Sequence, residues 1–245
     1  MKNACQRDIR KGVGDVFGAL SKCNWVKFAA SAFVLVGACD SGGIEWMQSV
    51  SIRVETEKGT YSQDNLIRVR WVKVSRGLAS VNGQSWEARI IGNAPYVVLP
   101  GGAVIVATLE GEDKFGLSRL LVDLLRPDQD VAAVPPREEV VAKVAQASDL
   151  FAEVTSPRHA FPAILGFEDS MRPDSAFLVS PRDPATRRLG VRKVSVTVRK
   201  AADGVPGIGV TKELPWLEGA TVPVVSARDE DGKIRKYGVK SFIGE

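Results

Sequence analysis

The chain has 245 residues, a formal net charge of +4, three cysteines and one histidine. A single histidine excludes a metal centre built on two of them, and three cysteines exclude a disulfide-dense scaffold. Aromatic residues make up only 7% of the chain, and no repeat of the kind that marks solenoids or propellers is visible.

Near the N-terminus Lys22 and Lys27 precede an apolar run from Phe28 to Ala38, which is followed by Cys39 and the polar stretch Asp40-Ser41-Gly42-Gly43. A helix that spans a bilayer takes about 20 apolar residues, so this shorter run suits the apolar region of an export signal. Val36-Gly37-Ala38-Cys39 resembles a bacterial lipobox, in which the cysteine is acylated and becomes the first residue after cleavage. The expected organisation is a lipoprotein signal peptide over 1–38, a lipidated Cys39 with a flexible tether over 39–47, and a mostly-β globular domain over 48–245. Such a chain is held to membrane lipid in a bacterial cell envelope and faces the periplasm or the exterior. The competing reading is an internal buried strand that happens to precede a cysteine. Asp8 and Asp15 make the leading segment polar for an export signal, which fits a translation start further in, at Leu20 or Val26.

Cys5, Cys23 and Cys39 all lie at or before the cleavage point, so the remaining 245 − 38 = 207 residues offer no further thiol for a disulfide, a zinc cluster or a nucleophile. Residues 1–38 hold six basic and two acidic side chains. Subtracting these from 33 and 29 leaves 27 of each sign. The basic balance therefore belongs to the leader, and no nucleic-acid footprint is indicated for the domain.

Along the domain, Ser51 to Glu57 alternates apolar and charged residues with the period of a half-buried strand, and Lys58-Gly59 can turn it. Asn65 to Val74 alternates likewise until the phase slips at Val72 and Val74, which suggests a β-bulge. Further strands are expected over Trp86 to Ile91, Tyr96 to Leu99 and Val104 to Leu109; the last is continuously apolar, as a strand covered on both faces is. Ser118 to Leu125 carries leucines at helical spacing. A second helix is expected after Pro135-Pro136, with Glu138 and Glu139 in its first turn and a stripe of Val140, Val144, Ala147 and Phe151. Lys193 to Arg199 alternates again, and Thr221 to Ala227 reads as a hairpin with Ile234 to Phe242. The expected class is α+β, predominantly antiparallel and sandwich-like, with two helices in the middle third.

Phe161 to Asp169, Pro173-Asp174-Ser175, Leu189 to Val198 and Gly207-Ile208-Gly209-Val210-Thr211-Lys212-Glu213-Leu214-Pro215-Trp216-Leu217 together resemble a poorly characterised family of bacterial envelope lipoproteins ending in a "GI…LPWL" signature. The resemblance covers about a quarter of the chain and implies a shared module with no transferred catalytic residue. Within it, Trp216 reads as a structural plug across the open edge of a sheet.

Catalytic patterns are sparse. His159 stands alone in Ser156-Pro157-Arg158-His159, the nucleophile elbow G-x-S-x-G is absent, and the glycines of Gly204 to Thr211 lack the lysine that a phosphate loop requires. Asp229-Glu230-Asp231-Gly232 does not fit an EF-hand loop, whose glycine is at the sixth position. No catalytic, metal-binding or cofactor-binding residue is assigned. Arg187, Arg188, Arg192 and Lys193 form a basic cluster that could contact an anionic group or polymer. The favoured function is a lipid-anchored, non-enzymatic binding or assembly module for an envelope protein or polymer. The alternatives are an envelope hydrolase using His159 and a toxin-inhibitor or immunity lipoprotein.

Overall fold

A computed structural model describes residues 43–74, 85–111, 116–125, 138–155, 162–207, 209–220, 225–228 and 232–244. The lipobox, His159 and the acidic turn 229–231 lie outside the described residues. Gly42–Glu245 forms one compact unit, and its hydrophobic core runs from Trp46 to Phe242.

The longest strands are β1 (Ile44–Thr56) and β2 (Gly59–Val74), paired antiparallel from Ile44↔Trp71 to Thr56↔Gly59. Gly59 closes their turn at φ 146°, a conformation open to glycine, and Thr56 Oγ1 accepts from the Lys58 amide. With β3 (Ser85–Ile91), β6 (Phe151–Thr155) and β9 (Val191–Ala201), they build a five-stranded antiparallel sheet in the order β3-β2-β1-β9-β6. One face is apolar because alternation puts Val50, Ile52 and Val54 of β1 opposite Val198, Val196 and Val194 of β9, all buried. This inner face shares its core with a four-stranded antiparallel sheet of β4 (Tyr96–Val98), β5 (Val104–Gly111), β7 (Pro162–Phe167) and β8 (Ala176–Leu178). Residues Val104 to Ala107 are all fully buried, as their unbroken apolar run requires. A hairpin of β10 (Val225–Arg228) and β11 (Ile234–Tyr237) follows near the C-terminus.

The helices α1 (Gly116–Leu124) and α2 (Glu138–Gln146) also cover the inner face. Gln48, fully buried there, donates to the Leu117 carbonyl of α1 and accepts from Trp46 Nε1, so its amide is satisfied. Two short helices, α3 (Pro184–Arg188) and α4 (Val210–Glu213), complete the α component.

Three expectations are corrected. The tether read over 39–47 ends earlier, because Ile44 to Met47 already pair in β1. The phase slip at Val72 is no bulge, since pairing with β3 runs without a break from Arg68↔Ile91 to Val74↔Ser85. Trp71 and Val72 are instead buried on opposite faces, Val72 against Gly43. The α2 stripe stops short of Phe151. The Lys200 ammonium donates to the carbonyls of Ala145 and Ala147, and the Lys200 amide donates to Leu150 O, which ends the helix and turns the chain into β6. Val141 and Val144 are buried, and Phe151 is an exposed strand residue.

Gly166 of β7 sits opposite Phe177 of β8, whose ring lies so close that a Cβ on residue 166 would fall 2.1 Å from Phe177 Cζ. The ring fills the missing side chain's place. Gly166→Ala is expected to cost about 1–3 kcal/mol in urea unfolding, and Phe177→Leu in the same chain should recover part of that loss. Additive effects of the two changes would contradict the contact.

Candidate functional site

The four cations singled out in the sequence converge at one end of the five-stranded sheet, where β1 finishes and β9 begins. Asp183 caps α3 by accepting from the amides of Ala185 at 2.7 Å and Thr186 at 3.3 Å, and Pro184 occupies the first turn. The helix delivers Arg187 and Arg188 at its C-terminal end, where cations are favoured by the helix dipole. Gly190, at φ 66°, then turns the chain into β9, and its carbonyl accepts from the Glu57 amide at 3.0 Å.

The three arginines meet partners within the fold, and Lys193 faces an acid across the strands. Arg187 donates to the carbonyls of Pro181 and Arg182, both at 3.2 Å. Arg188 holds Glu168 with two parallel bonds of 2.9 and 3.0 Å. Arg192 lies 3.5 Å from Glu57, and Lys193 is directly opposite Glu55 across the β1–β9 pair. The cluster therefore clasps α3, β1 and β7 together, and an incoming anion has to displace Glu57 and Glu168. These ion pairs are exposed, so each contributes on the order of 0–1 kcal/mol. The acids are the part of this cluster that sequence reading missed. Glu55 and Glu57 are visible as the wet positions of β1, yet their pairing depends on a register with β9 set more than 130 residues away.

Beside the clasp, the exposed Arg172 donates two bonds to Asp174, and this hydrogen-bonded contact holds the Asp174 carboxyl below its ordinary range. Any stability it confers is present above the unfolded carboxyl range and is lost as pH falls through the lowered value.

Two open clefts are present among the described residues. One of about 340 Å³ runs along β11 beside Lys233, Arg235, Lys236, Tyr237 and Glu110. Another of about 250 Å³ lies between Ser180, Arg182, Asp183 and Arg228. Enclosed small-molecule sites are typically apolar and of about 300–1,000 Å³. Among the described residues no group of three or more histidine, cysteine or acidic side chains is placed to hold a metal, and no helix is long and apolar enough to cross a membrane. No family model matches the chain, and no curated protein or solved structure is recognisably similar to it.

Trp216 occupies a 3-10 turn, Pro215–Leu217, between the buried Leu214 and Leu217. Its indole Nε1 donates to Ser170 O at 2.9 Å, and its ring packs on Phe167 at 5.5 Å and edge-on to Phe242 at 5.9 Å. This three-ring cluster ties the end of β7 to the C-terminal turn. Trp216→Ala should lower stability by about 3 kcal/mol, the lower end of the range for an emptied aromatic site because the indole is only half-buried. An unchanged melting temperature would mean that the ring serves recognition.

Proposed function

We propose that this chain is a lipid-anchored bacterial envelope protein, processed after residue 38 and held to membrane lipid through Cys39. In this reading its domain is a non-enzymatic binding or assembly module for another envelope protein or polymer. The observation that carries it is the lipobox-like Val36-Gly37-Ala38-Cys39 placed immediately ahead of the compact unit, which starts at Gly42. Only residues 40–43 separate the cysteine from β1, a reach of at most about 17 Å to Ile44 in an extended chain. The β1 start is therefore the membrane end of the domain, and the other end of β1, about 40 Å away, is turned toward a partner.

That distal end carries the Arg187, Arg188, Arg192 and Lys193 cluster, where an acidic partner would exchange its own carboxylates for those of Glu57 and Glu168. The two sheets around one core favour a sandwich-like architecture, and the segments 161–198 and 207–217 favour kinship with the envelope lipoproteins of the "GI…LPWL" signature. The test is mass analysis of the N-terminal peptide of the membrane-extracted protein, followed by capture of partners from detergent-solubilised envelopes. An acylated peptide starting at Cys39 is the expected result; an unmodified Cys39 within a longer peptide would overturn the reading.

A further inference from the structure

One edge of the five-stranded sheet is β3, which pairs only with β2, from Arg68↔Ile91 to Val74↔Ser85 and without a bulge. Just past β3 the same edge already carries an added segment. Asn93 bridges Ile243 antiparallel, the Ala94 amide donates to Phe242 O, and the Gly244 amide donates to Gly92 O. A Cβ on Gly244 would fall 2.1 Å from Ile90 O, so the Ile90 carbonyl points outward, away from β2. Backbone groups alternate sides along an antiparallel strand, which turns those of Ala88 and Trp86 outward as well. Among the described residues nothing pairs with the outward groups of Ala88, and a gap of about 80 Å³ opens beside Glu87, Ala88, Arg89 and Ile90. An open row of this kind is a template for another strand.

The side chains decide which strand fits. The segment reads Trp86-Glu87-Ala88-Arg89-Ile90. Glu87 and Arg89 are exposed, and neither has an ion-pair or hydrogen-bond partner among the described residues. Laid antiparallel on itself about Ala88, the segment is self-complementary. Glu87 of each copy then faces Arg89 of the other, and Trp86 faces Ile90. Centring the pairing on Glu87 or on Arg89 would set like charges opposite. The other edge of the sheet, β6, offers no such match, because pairing about its middle residue sets Glu153 against Glu153.

We propose that two copies of this chain associate through β3, edge to edge and antiparallel, about a two-fold axis at Ala88. The interface is isologous, each copy giving the same five residues, 86–90. Each Ala88 amide donates to the other copy's Ala88 carbonyl, and the two sheets of five strands become one of ten. The Glu87–Arg89 and Trp86–Ile90 pairs, each formed twice, fix the register. Ile44 is level with Ala88 through Trp71, so both β1 starts lie on the row of the axis. The two Arg188 clusters then stand at opposite ends of the dimer, which presents a partner with two equivalent sites. The pairing itself does not depend on Cys39 or on an anchor.

The test is sedimentation equilibrium of the unit from Gly42 onward, which holds the whole described core. The mass is expected to rise toward twice that of the monomer as concentration increases. Glu87→Lys alone, or Arg89→Glu alone, turns both symmetry-related charge pairs from attraction to repulsion and should weaken association about tenfold or more. The double variant regains opposite charges and should associate again, and the two single variants, mixed, should pair with each other. Glu153→Lys on the other edge should leave association unchanged. All these side chains are exposed, so the melting temperature should stay close to that of the unaltered unit. A monomer at every concentration, dimers indifferent to the single reversals, no recovery in the double variant, or equal loss with Glu153→Lys would each overturn the proposal.

Discussion

Val106→Asp should abolish cooperative folding. Val106 is fully buried in β5, paired with Tyr96 on one side and Leu165 on the other. A carboxylate at that position is cut off from water. Burying such a group costs several kcal/mol even when it takes up a proton to become neutral, while a domain of this kind is stable by about 5–15 kcal/mol in total. Circular dichroism with urea titration should show the loss of a single sharp transition. Val106→Ala in the same position removes two methyl groups without adding charge and should shift the midpoint while keeping the transition cooperative. A Val106→Asp protein with a normal transition would mean that β5 is not the covered strand described.

Cys39→Ser should move the protein from the membrane to the soluble fraction, or leave it as an unprocessed precursor. Each buried CH₂ of an acyl chain contributes about 0.8 kcal/mol, so two or three chains hold a protein firmly, whereas the serine variant has none. The fractionation is best read at high salt, where non-specific charge attraction is screened. A variant of unchanged mass that still sediments with membranes in high salt would remove the anchor from the account.

Strands with one wet face, and the presence of the two middle helices, are written in neighbouring residues; which side of each helix is buried is not, since Leu124 and Leu125 are exposed while Leu117 and Val122 are buried. Period two over Ser51 to Glu57 and Lys193 to Arg199 is written in adjacent residues, so β1 and β9 were legible, as was β5 from its unbroken apolar run. The lysine and glycine that turn β1 into β2 were equally legible, because a turn depends on the backbone freedom of one or two positions. Tertiary structure decided everything that depends on a distant neighbour. Val72 lies in the space that a side chain on Gly43 would fill, and the carbonyls at the end of α2 and just beyond it are met by Lys200, far along the chain. The basic cluster at Arg187 to Lys193 looks like an open anion site in one dimension. Antiparallel pairing of β1 with β9 places it at the end of the sheet away from Ile44 and beside Glu55 and Glu57. Arg68, Arg70 and Arg89 read in the sequence only as the wet sides of two strands. Pairing of β2 with β3 sets Arg70 against Arg89, and the register of β1 with β2 brings Glu45 opposite Arg70. Which charges gather on one surface is fixed by strand register, a long-range property that no local pattern encodes.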